Sequence, residues 1–238
     1  MENRAVDWEG FFNTRDLGGL PTRSGGRTGA ARFYRAASLR FVTETGWAQA
    51  RESGVRTVVD LRNPVEISTY AATVPPGMTR LEVPLDDVED TEFWQYLARE
   101  QLDGTPLYYR LFLDRKAERC AAVLTALAQA EPGGVLFHCT AGRDRTGLVS
   151  LLLLALADVE PEVIAADYAL STEAVRPLFK ALGVEDQTAA LDAALARRQT
   201  TIHEAVIKTL DGFDVREYLV RAGMAADEVD RLRDRLSR

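Results

Sequence analysis

Cys139 and Arg145 stand six positions apart in a short polar segment between two apolar runs. The run Val135-Leu136-Phe137 precedes the segment and Leu148-Val149-Ser150-Leu151-Leu152 follows it, a pattern that predicts a strand, a tight loop and a buried helix. A thiol at the start of such a loop and a guanidinium at the helix entrance form an anion site with its own nucleophile. The chemistry indicated is nucleophilic attack on a bound oxyanion such as a phosphoryl group.

The thiol needs help to ionise, because an ordinary cysteine has a pKa of roughly 8.5 and only the thiolate is a good nucleophile. A helix amino terminus stabilises a nearby anion by at most about 2 kcal/mol, which lowers a pKa by only about 1.5 units. Inward-facing N–H groups of the loop and the fixed charge of Arg145 add to that stabilisation. We therefore expect Cys139 to react as a thiolate.

The same loop suits a phosphate dianion, whose oxygens accept hydrogen bonds from successive backbone N–H groups. The predicted phosphate-binding residues are Thr140, Ala141, Gly142, Arg143, Asp144 and Arg145. The planar guanidinium of Arg145 is expected to hold two phosphate oxygens as a fork, and Gly142 allows a sharp turn. Thr146 is expected to donate its hydroxyl to the sulfur, and His138 to brace the loop.

Three ordered segments resemble one known family. His138 to Gly147 is similar to an H-C-x5-R-T signature loop, Asn13 to Gly19 to an N-x-R-D-L-G-G segment, and Asp60-Leu61-Arg62 with Glu66 to a D-L-R-x3-E segment. The chain thus resembles the cysteine-dependent protein tyrosine and dual-specificity phosphatase superfamily, above all its bacterial and fungal subgroup with an H-C-x-A-G-K-D-R-T-G loop. The resemblance implies a phosphotyrosine phosphatase-like fold and hydrolysis of phosphomonoesters through a phosphocysteine intermediate.

Arg143 departs from the subgroup pattern, which carries lysine at this place of the loop. The charge is kept, but the reach and hydrogen-bond geometry change. In related enzymes a basic residue here is associated with multiply phosphorylated inositol headgroups. The resemblance therefore implies a phosphorylated protein, with phosphotyrosine as the leading substrate, and keeps a phosphoinositide as the alternative. Inorganic phosphate is expected as product or inhibitor.

Cleavage of an aryl phosphate ester benefits from an acid that protonates the leaving oxygen and then serves as a base toward water. The Trp-Pro-Asp segment of large tyrosine phosphatases is absent. Asp144 is the first candidate, because it lies in the signature loop where the resembling subgroup carries its aspartate. Asp60 and Asp86, which follow predicted strands, are the rival candidates.

Two further positions are expected to support the loop. Arg15 and Asp16 precede Gly18-Gly19 and are predicted to shape a turn near the site, since a simple surface ion pair contributes only about 0–1 kcal/mol. Cys120, at helical spacing with apolar neighbours, is expected to fill the core.

Other classes of protein use some of the same parts. Arsenate reductases and sulfurtransferases also place a cysteine on an anion-binding loop, but Cys120 is the only other thiol and is predicted to be buried. A non-catalytic phosphate-binding module would not need a nucleophile, an arginine and a threonine together. We expect no cofactor and no metal, because no Cys/His cluster has the spacing of metal ligands.

Composition limits the remaining classes. A net charge of −7 over 238 residues argues against a nucleic-acid partner, which calls for a basic face. Two cysteines are too few for a disulfide framework, and a reactive thiolate favours a reducing compartment. The amino terminus shows no secretory signal, and no apolar run approaches the ~20 residues of a membrane span. We expect a cytoplasmic protein without an integral membrane segment, and leave secretion by a signal-less route open.

Strands that alternate with helices predict an α/β fold with a central, mainly parallel sheet flanked by helices. The predicted strands cover 33–36, 55–61, 80–84 and 135–137. The predicted helices cover 44–52, 64–71, 92–101 and two stretches within 107–130 that are interrupted near Asp114. We expect a single domain, 1–238, whose helical part, 171–238, supplies packing helices and a lid. Ligands gather beyond the carboxyl ends of parallel strands, so Asp60, Asp86 and Cys139 are expected to lie close together.

Overall fold

A five-stranded sheet in the spatial order β1-β2-β5-β3-β4 forms the centre of the molecule. The computed structural model describes residues 4–237. The strands are β1 Arg15–Asp16, β2 Phe33–Ala36, β3 Val55–Asp60, β4 Thr79–Glu82 and β5 Gly134–His138. Among them β1 pairs antiparallel with β2, while β2, β5, β3 and β4 run parallel. The predicted α/β class and the mainly parallel sheet are confirmed.

Twelve α-helices surround this sheet within residues 4–237. They are α1 Glu44–Glu52, α2 Pro64–Thr69, α3 Thr91–Arg99, α4 Tyr109–Arg115, α5 Ala117–Gln129, α6 Asp144–Leu156, α7 Pro161–Ala174, α8 Arg176–Leu182, α9 Thr188–Arg197, α10 Ile202–Leu210, α11 Val215–Arg221 and α12 Ala226–Ser237. The predicted bounds of α1 are correct, whereas α2 ends two residues before the predicted Ala71.

The break predicted near Asp114 lies at Lys116 instead. This residue leaves the helical backbone region, with φ −124° and ψ 34°. Its ammonium group donates to Asp87 at 3.0 Å and also contacts Asp90, so tertiary ion pairs hold the chain in the non-helical conformation. A side-chain anchor to another part of the chain thus determines where α4 ends.

Strand β5 and helix α6 together form the buried axis of the fold. Every residue of β5 is buried, and most of α6 is buried as well, including Leu151, Leu152 and Leu153. Such a helix is apolar on all sides and must lie inside the molecule. The register pairs His138 with both Ala36 and Asp60, so the carboxyl ends of β2, β3 and β5 meet at one edge.

The carboxyl-terminal part is helical, as predicted. Helix α10 packs on α7, and α12 packs on α5. Leu178 and Phe179 of α8 pack with Ala37 in a small apolar cluster that also touches Ala141 of the signature loop.

The single domain and the lid remain predictions, and the ends of the predicted domain, residues 1–3 and 238, lie outside the described part of the chain. Met1, Glu2 and Asn3 also belong to the segment in which no secretory signal is expected.

Within residues 4–237, none of the helices combines the length and the apolar character that a bilayer crossing requires.

Candidate active site

The loop between β5 and α6 has its carbonyl groups tied from outside. The N–H of Ser38 donates to Thr140 O at 2.9 Å, and the amide of Asn13 donates to Ala141 O at 3.1 Å and to Gly142 O at 3.0 Å. Outward carbonyls turn the peptide N–H groups toward the inside of the loop. Among the described residues, none accepts a hydrogen bond from the N–H groups of 140–143. The predicted anion cradle therefore has its donors available.

Gly142 has the backbone conformation that the sharp turn requires. Its φ is +66°, and a Cβ at this position would lie 2.6 Å from Ala36 O. Any other residue would clash with the backbone of β2. The expected role of Gly142 in the turn agrees with this geometry.

Cys139 lies at the base of the loop, 2% exposed, with Arg145 on the first turn of α6. Burial tends to lower the pKa of the Arg145 guanidinium, but the hydrogen bonds to Glu66 and the charges of Cys139 and Asp86 raise it. Arg145 is therefore a permanent cation. Cys120, by contrast, is fully buried in the core, and burial raises the pKa of its thiol to about 12.

Glu66 fixes the orientation of Arg145. Its carboxylate accepts Nη1 at 2.6 Å and Nη2 at 2.7 Å, and it also accepts the Thr140 hydroxyl at 2.6 Å. A capping box with Asn63 holds Glu66 in the first turn of α2. Burial opposes it, but the hydrogen bonds from Arg145 lower the pKa of Glu66 to about 2.

This pairing corrects one detail of the expected phosphate fork. The edge of the Arg145 guanidinium formed by Nη1 and Nη2 is bonded to Glu66. Its Nε–H donates to no described residue, so the Nε edge is the one that can meet phosphate oxygens. Glu66 belonged to a matched sequence segment, but nothing in the sequence assigned it to Arg145.

Asp86 lies beside this arginine. Its Oδ2 atom is 3.3 Å from Arg145 Nη1, and its carboxyl group borders a cavity lined also by Val88 and Trp94. Burial raises the pKa of Asp86 to about 6, with Glu66 adding to the rise and Arg145 opposing it. A carboxyl group with such a pKa can donate a proton near neutral pH.

Asp144, the first-ranked acid in the sequence, begins α6. Its Oδ1 is 3.5 Å from the Tyr168 hydroxyl and 3.6 Å from Arg143 Nε. Its charge contributes to the raised pKa of Asp86, so the two carboxyl groups lie within electrostatic reach of each other. Of the two carboxyl groups, that of Asp86 lies against Arg145, whereas that of Asp144 lies beside Tyr168 and Arg143.

Asp60 occupies a different environment, and the structure argues against its expected role as an acid. Its side chain is 1% exposed and accepts Arg62 Nε at 2.9 Å, Arg62 Nη2 at 2.7 Å and Arg80 Nη2 at 3.0 Å. Although burial opposes it, the hydrogen bonds and charge of Arg62, together with His138, lower the pKa of Asp60 to about 2. A buried carboxylate with every oxygen engaged cannot donate a proton to substrate.

His138 links this pair to the loop. Its Nδ1 is 3.2 Å from Cys139 O, and its Nε2 is 3.5 Å from Asp60 Oδ2. Burial lowers the pKa of His138 to about 4 despite the nearby Asp60, whose charge Arg62 already balances. The imidazole is neutral at pH 7, in keeping with the expected bracing.

Thr146 does not make the expected bond to sulfur in this conformation. Its hydroxyl is buried and has no hydrogen-bond partner among the described residues, Cys139 Sγ included. The backbone carbonyl of Thr146 accepts a hydrogen bond from the Ser150 hydroxyl at 2.7 Å.

Arg143 is 3% exposed and lies over a second cavity, between the turn at 101–105 and α9. Its Nε and Nη1 atoms lack hydrogen-bond partners among the described residues, although Asp144 lies close by. Neither Cys139 nor Asp86 lines this cavity. The Arg143 side chain thus faces the turn at 101–105 and α9.

Arg15 and Asp16 separate, although they are neighbours in sequence. Asp16 accepts the N–H groups of Gly18 at 2.8 Å and Ala31 at 2.7 Å, so it shapes the predicted turn. Arg15 points inward to Asp167 on α7, at 3.0 Å, and does not pair with Asp16.

Several supporting residues were not found by sequence reasoning. They are Asn13, Arg35, Tyr109, Asp167 and Ser171. Asn13 stood inside a matched segment, and the i, i+4 spacing of Asp167 and Ser171, which places both on one face of a helix, was an available signal. Within the described residues, no group of three or more His, Cys, Asp or Glu side chains is arranged to hold a metal ion.

Comparison with known proteins gives a consistent picture. The family model described as "tyrosine phosphatase family" matches residues 6–238. The triple specificity protein phosphatase PtpB of Mycobacterium tuberculosis is 31% identical, over 92% of this chain and 87% of that protein. A putative tyrosine-protein phosphatase of Cupriavidus necator is 31% identical over 68% of this chain and 60% of that protein. A tyrosine-protein phosphatase of Nostoc commune is also 31% identical, over 58% of this chain and 48% of that protein.

Proposed function

The chain belongs to the tyrosine phosphatase family, and from this membership we propose that it hydrolyses phosphotyrosine in protein substrates through a phosphocysteine intermediate. The observation that carries the proposal is the loop segment 140–143: the carbonyls of Thr140, Ala141 and Gly142 are bonded outward, while the N–H groups of 140–143 have no acceptor among the described residues. Such a cradle, with the Arg145 cation beside it, fits a phosphate dianion.

In the first step, the Cys139 thiolate attacks phosphorus in line with the tyrosyl oxygen. An S–P bond forms and the P–O bond to tyrosine breaks. The loop N–H groups and the Nε edge of Arg145 hold the three remaining oxygens, on which negative charge is concentrated in the transition state. We assign the proton for the leaving oxygen to Asp86, because its raised pKa and its contact with Arg145 suit that role.

In the second step, water attacks the phosphocysteine. The Asp86 carboxylate accepts a proton from the water, the S–P bond breaks, and inorganic phosphate and the Cys139 thiolate are released. In this mechanism Asp144 raises the pKa of Asp86 through its charge and is not itself the general acid, the role that the sequence suggested for it. Free phosphate occupies the same cradle and is expected to inhibit competitively.

The proposed substrate is a phosphorylated protein, in agreement with the names of all three relatives. One of them is named a triple specificity protein phosphatase, so the substrate panel extends beyond phosphotyrosine. The phosphoinositide alternative is less favoured, because the Arg143 side chain faces the second cavity. We also propose one domain over 1–238 and a reducing compartment such as the cytoplasm, which suits two free thiols.

Replacement of the nucleophile tests the mechanism. Cys139→Ser should lower kcat on a phosphotyrosine peptide by about 10⁴-fold or more, because the serine hydroxyl has no base to activate it. The variant should still bind inorganic phosphate, measured by calorimetry. The matched control is Cys120→Ala, which removes the buried thiol of α5 and should keep wild-type kcat.

The substrate panel contains phosphotyrosine, phosphoserine and phosphothreonine peptides and a phosphoinositide in mixed micelles. Turnover that survives Cys139→Ser would refute the phosphocysteine mechanism. Phosphate release from the phosphoinositide alone would refute the protein substrate and support the alternative.

A further inference from the structure

A buried group of charged residues lies behind the signature loop, on the side away from the cradle. We call it the arginine cluster: Arg4, Arg15 and Arg35 around the carboxylate of Asp167. The side chains are 9%, 3%, 0% and 1% exposed, respectively. The members come from the amino-terminal segment, β1, β2 and α7, so only the folded chain assembles them.

Asp167 is the centre of the cluster. It accepts Arg15 Nε at 3.0 Å and Arg35 Nη1 at 3.3 Å, and Arg4 contacts the same carboxylate. Ser171, one helical turn further along α7, accepts Arg15 Nη2 and Arg35 Nη2, each at 3.0 Å. Two arginines are therefore held in fixed positions by one face of one helix.

Both fixed arginines act on the loop. Arg35 Nη2 donates to Gly142 O at 2.6 Å. Arg15 Nη1 donates to Asn13 Oδ1 at 2.8 Å, which leaves the Asn13 amide N–H₂ group facing the carbonyls of Ala141 and Gly142. Gly142 O thus accepts two donors that both depend on Asp167.

The cluster carries more positive than negative charge, since three guanidiniums surround one carboxylate. Burial lowers the pKa of Arg35 to about 10, with Arg15 adding to the fall, so the side chain remains charged at neutral pH. The other titratable groups that act on Arg35 are the hydroxyls of Tyr109 and Tyr168, both neutral because burial raises their pKa. Buried surplus charge is unfavourable for stability by itself, and an anion in front of the loop offsets it.

We propose that the arginine cluster positions the oxyanion cradle: through Arg35 and Asn13 it holds two loop carbonyls outward, and its surplus charge favours an anion in front of the loop. The inference rests on the proposed function in one respect, namely that the loop binds a tetrahedral oxyanion. Arg15, Arg35, Asn13 and Asp167 are then positioning residues that do not touch the substrate.

Asn13→Gly is the most direct test. Asn13 has a φ of +49°, which glycine adopts without strain, so the variant removes the amide and keeps the backbone. We expect the Kd for inorganic tungstate, a tetrahedral dianion, to rise about tenfold by calorimetry, the effect of one or two lost hydrogen bonds. The kcat/KM on a phosphotyrosine peptide should fall by a similar factor.

A pair of substitutions at Arg35 separates charge from shape. Arg35→Met removes both the charge and the bond to Gly142 O and should weaken tungstate binding by more than Asn13→Gly does. Arg35→Lys keeps the charge and should recover part of the affinity. If Arg35→Met does not fold, Asn13→Gly decides the question alone.

The control is Thr28→Val. The Thr28 hydroxyl is buried, donates to Leu17 O at 2.7 Å and accepts from Leu20 N at 2.9 Å. Neither of these hydrogen bonds involves the signature loop or the arginine cluster. This variant should lower the melting temperature and leave tungstate affinity unchanged. Wild-type tungstate affinity in folded Asn13→Gly would overturn the proposal. An enzyme that binds tungstate in the predicted order of variants but hydrolyses no phosphomonoester would refute the proposed function and uphold the positioning role.

Discussion

Two aspartates near the ends of neighbouring strands, the buried Asp60 and the partly exposed Asp86, each lie beside an arginine, yet their carboxyl groups behave in opposite ways. Asp60, at the end of β3, has its pKa lowered to about 2 against the effect of burial, by the hydrogen bonds from Arg62. Asp86, in the segment after β4, has its pKa raised to about 6 by burial. The difference lies in what the nearby arginine is doing.

Arg62 gives Asp60 two direct bonds, at 2.9 and 2.7 Å, and Arg80 adds a third at 3.0 Å. The Nη1 and Nη2 atoms of Arg145 are both bonded to Glu66, and Nη1 lies 3.3 Å from Asp86 Oδ2. An arginine already bonded to one carboxylate compensates a second one poorly, and the like charge of Glu66 adds to the cost of ionising it. Burial alone therefore does not decide which carboxyl group can act as an acid. What matters as well is whether the N–H donors of the nearby arginine are bonded to that carboxyl group or to another one.

Among the three aspartates, replacement of Asp86 by asparagine should have the largest effect. Loss of the general acid should lower kcat by about 10²–10⁴-fold on phosphotyrosine peptides, which have a poor leaving group. On an aryl phosphate with a good leaving group, the first step should be far less affected. In the wild-type enzyme kcat/KM should fall as pH rises above about 6, because Asp86 then loses its proton; this limb should vanish in Asp86→Asn. An unchanged alkaline limb in the variant would contradict the assignment.

Asp60→Asn should act mainly by lowering the stability of the fold, in contrast to the catalytic effect of Asp86→Asn. Removing one partner leaves Arg62 buried and unpaired, which costs about 3–5 kcal/mol in the free energy of unfolding, measured in urea. Since the folded pKa of Asp60 lies below its ordinary value of 3.8, its stabilisation is present above that pH and is lost as pH falls toward about 2. The stability gap between wild type and variant should therefore close on acidification from pH 5. A variant as stable as wild type at pH 7 would break the comparison.

Asp144→Asn should have the smallest effect. Its charge helps to raise the pKa of Asp86, so its removal should shift the alkaline limb of kcat/KM to lower pH and keep the limb visible. The change in kcat on a phosphotyrosine peptide should stay below about tenfold, less than the loss of a general acid. If Asp144→Asn abolishes the limb and Asp86→Asn keeps it, the two aspartates exchange roles.

Much of the fold was predictable because local patterns determine it. The strand 33–36 and helix 44–52 have the predicted bounds, since period and caps are encoded within a few residues. The break at Lys116 was misplaced by two residues because ion pairs to Asp87 and Asp90 decide it. Those partners lie more than 25 positions away, beyond the reach of any local pattern.

The sequence by itself predicted the nucleophile, the arginine and the loop that joins them, because Cys139 and Arg145 lie six positions apart in one contiguous segment. Only the tertiary structure decided that the Asp86 carboxyl group contacts the Arg145 side chain and that Glu66 is bonded to the same guanidinium. It also decided that Arg35 and Asp167 lie behind the loop. The physical reason is that a pKa depends on partners brought together from distant segments. The pKa of an aspartate in the folded protein therefore cannot be inferred from its residue type alone.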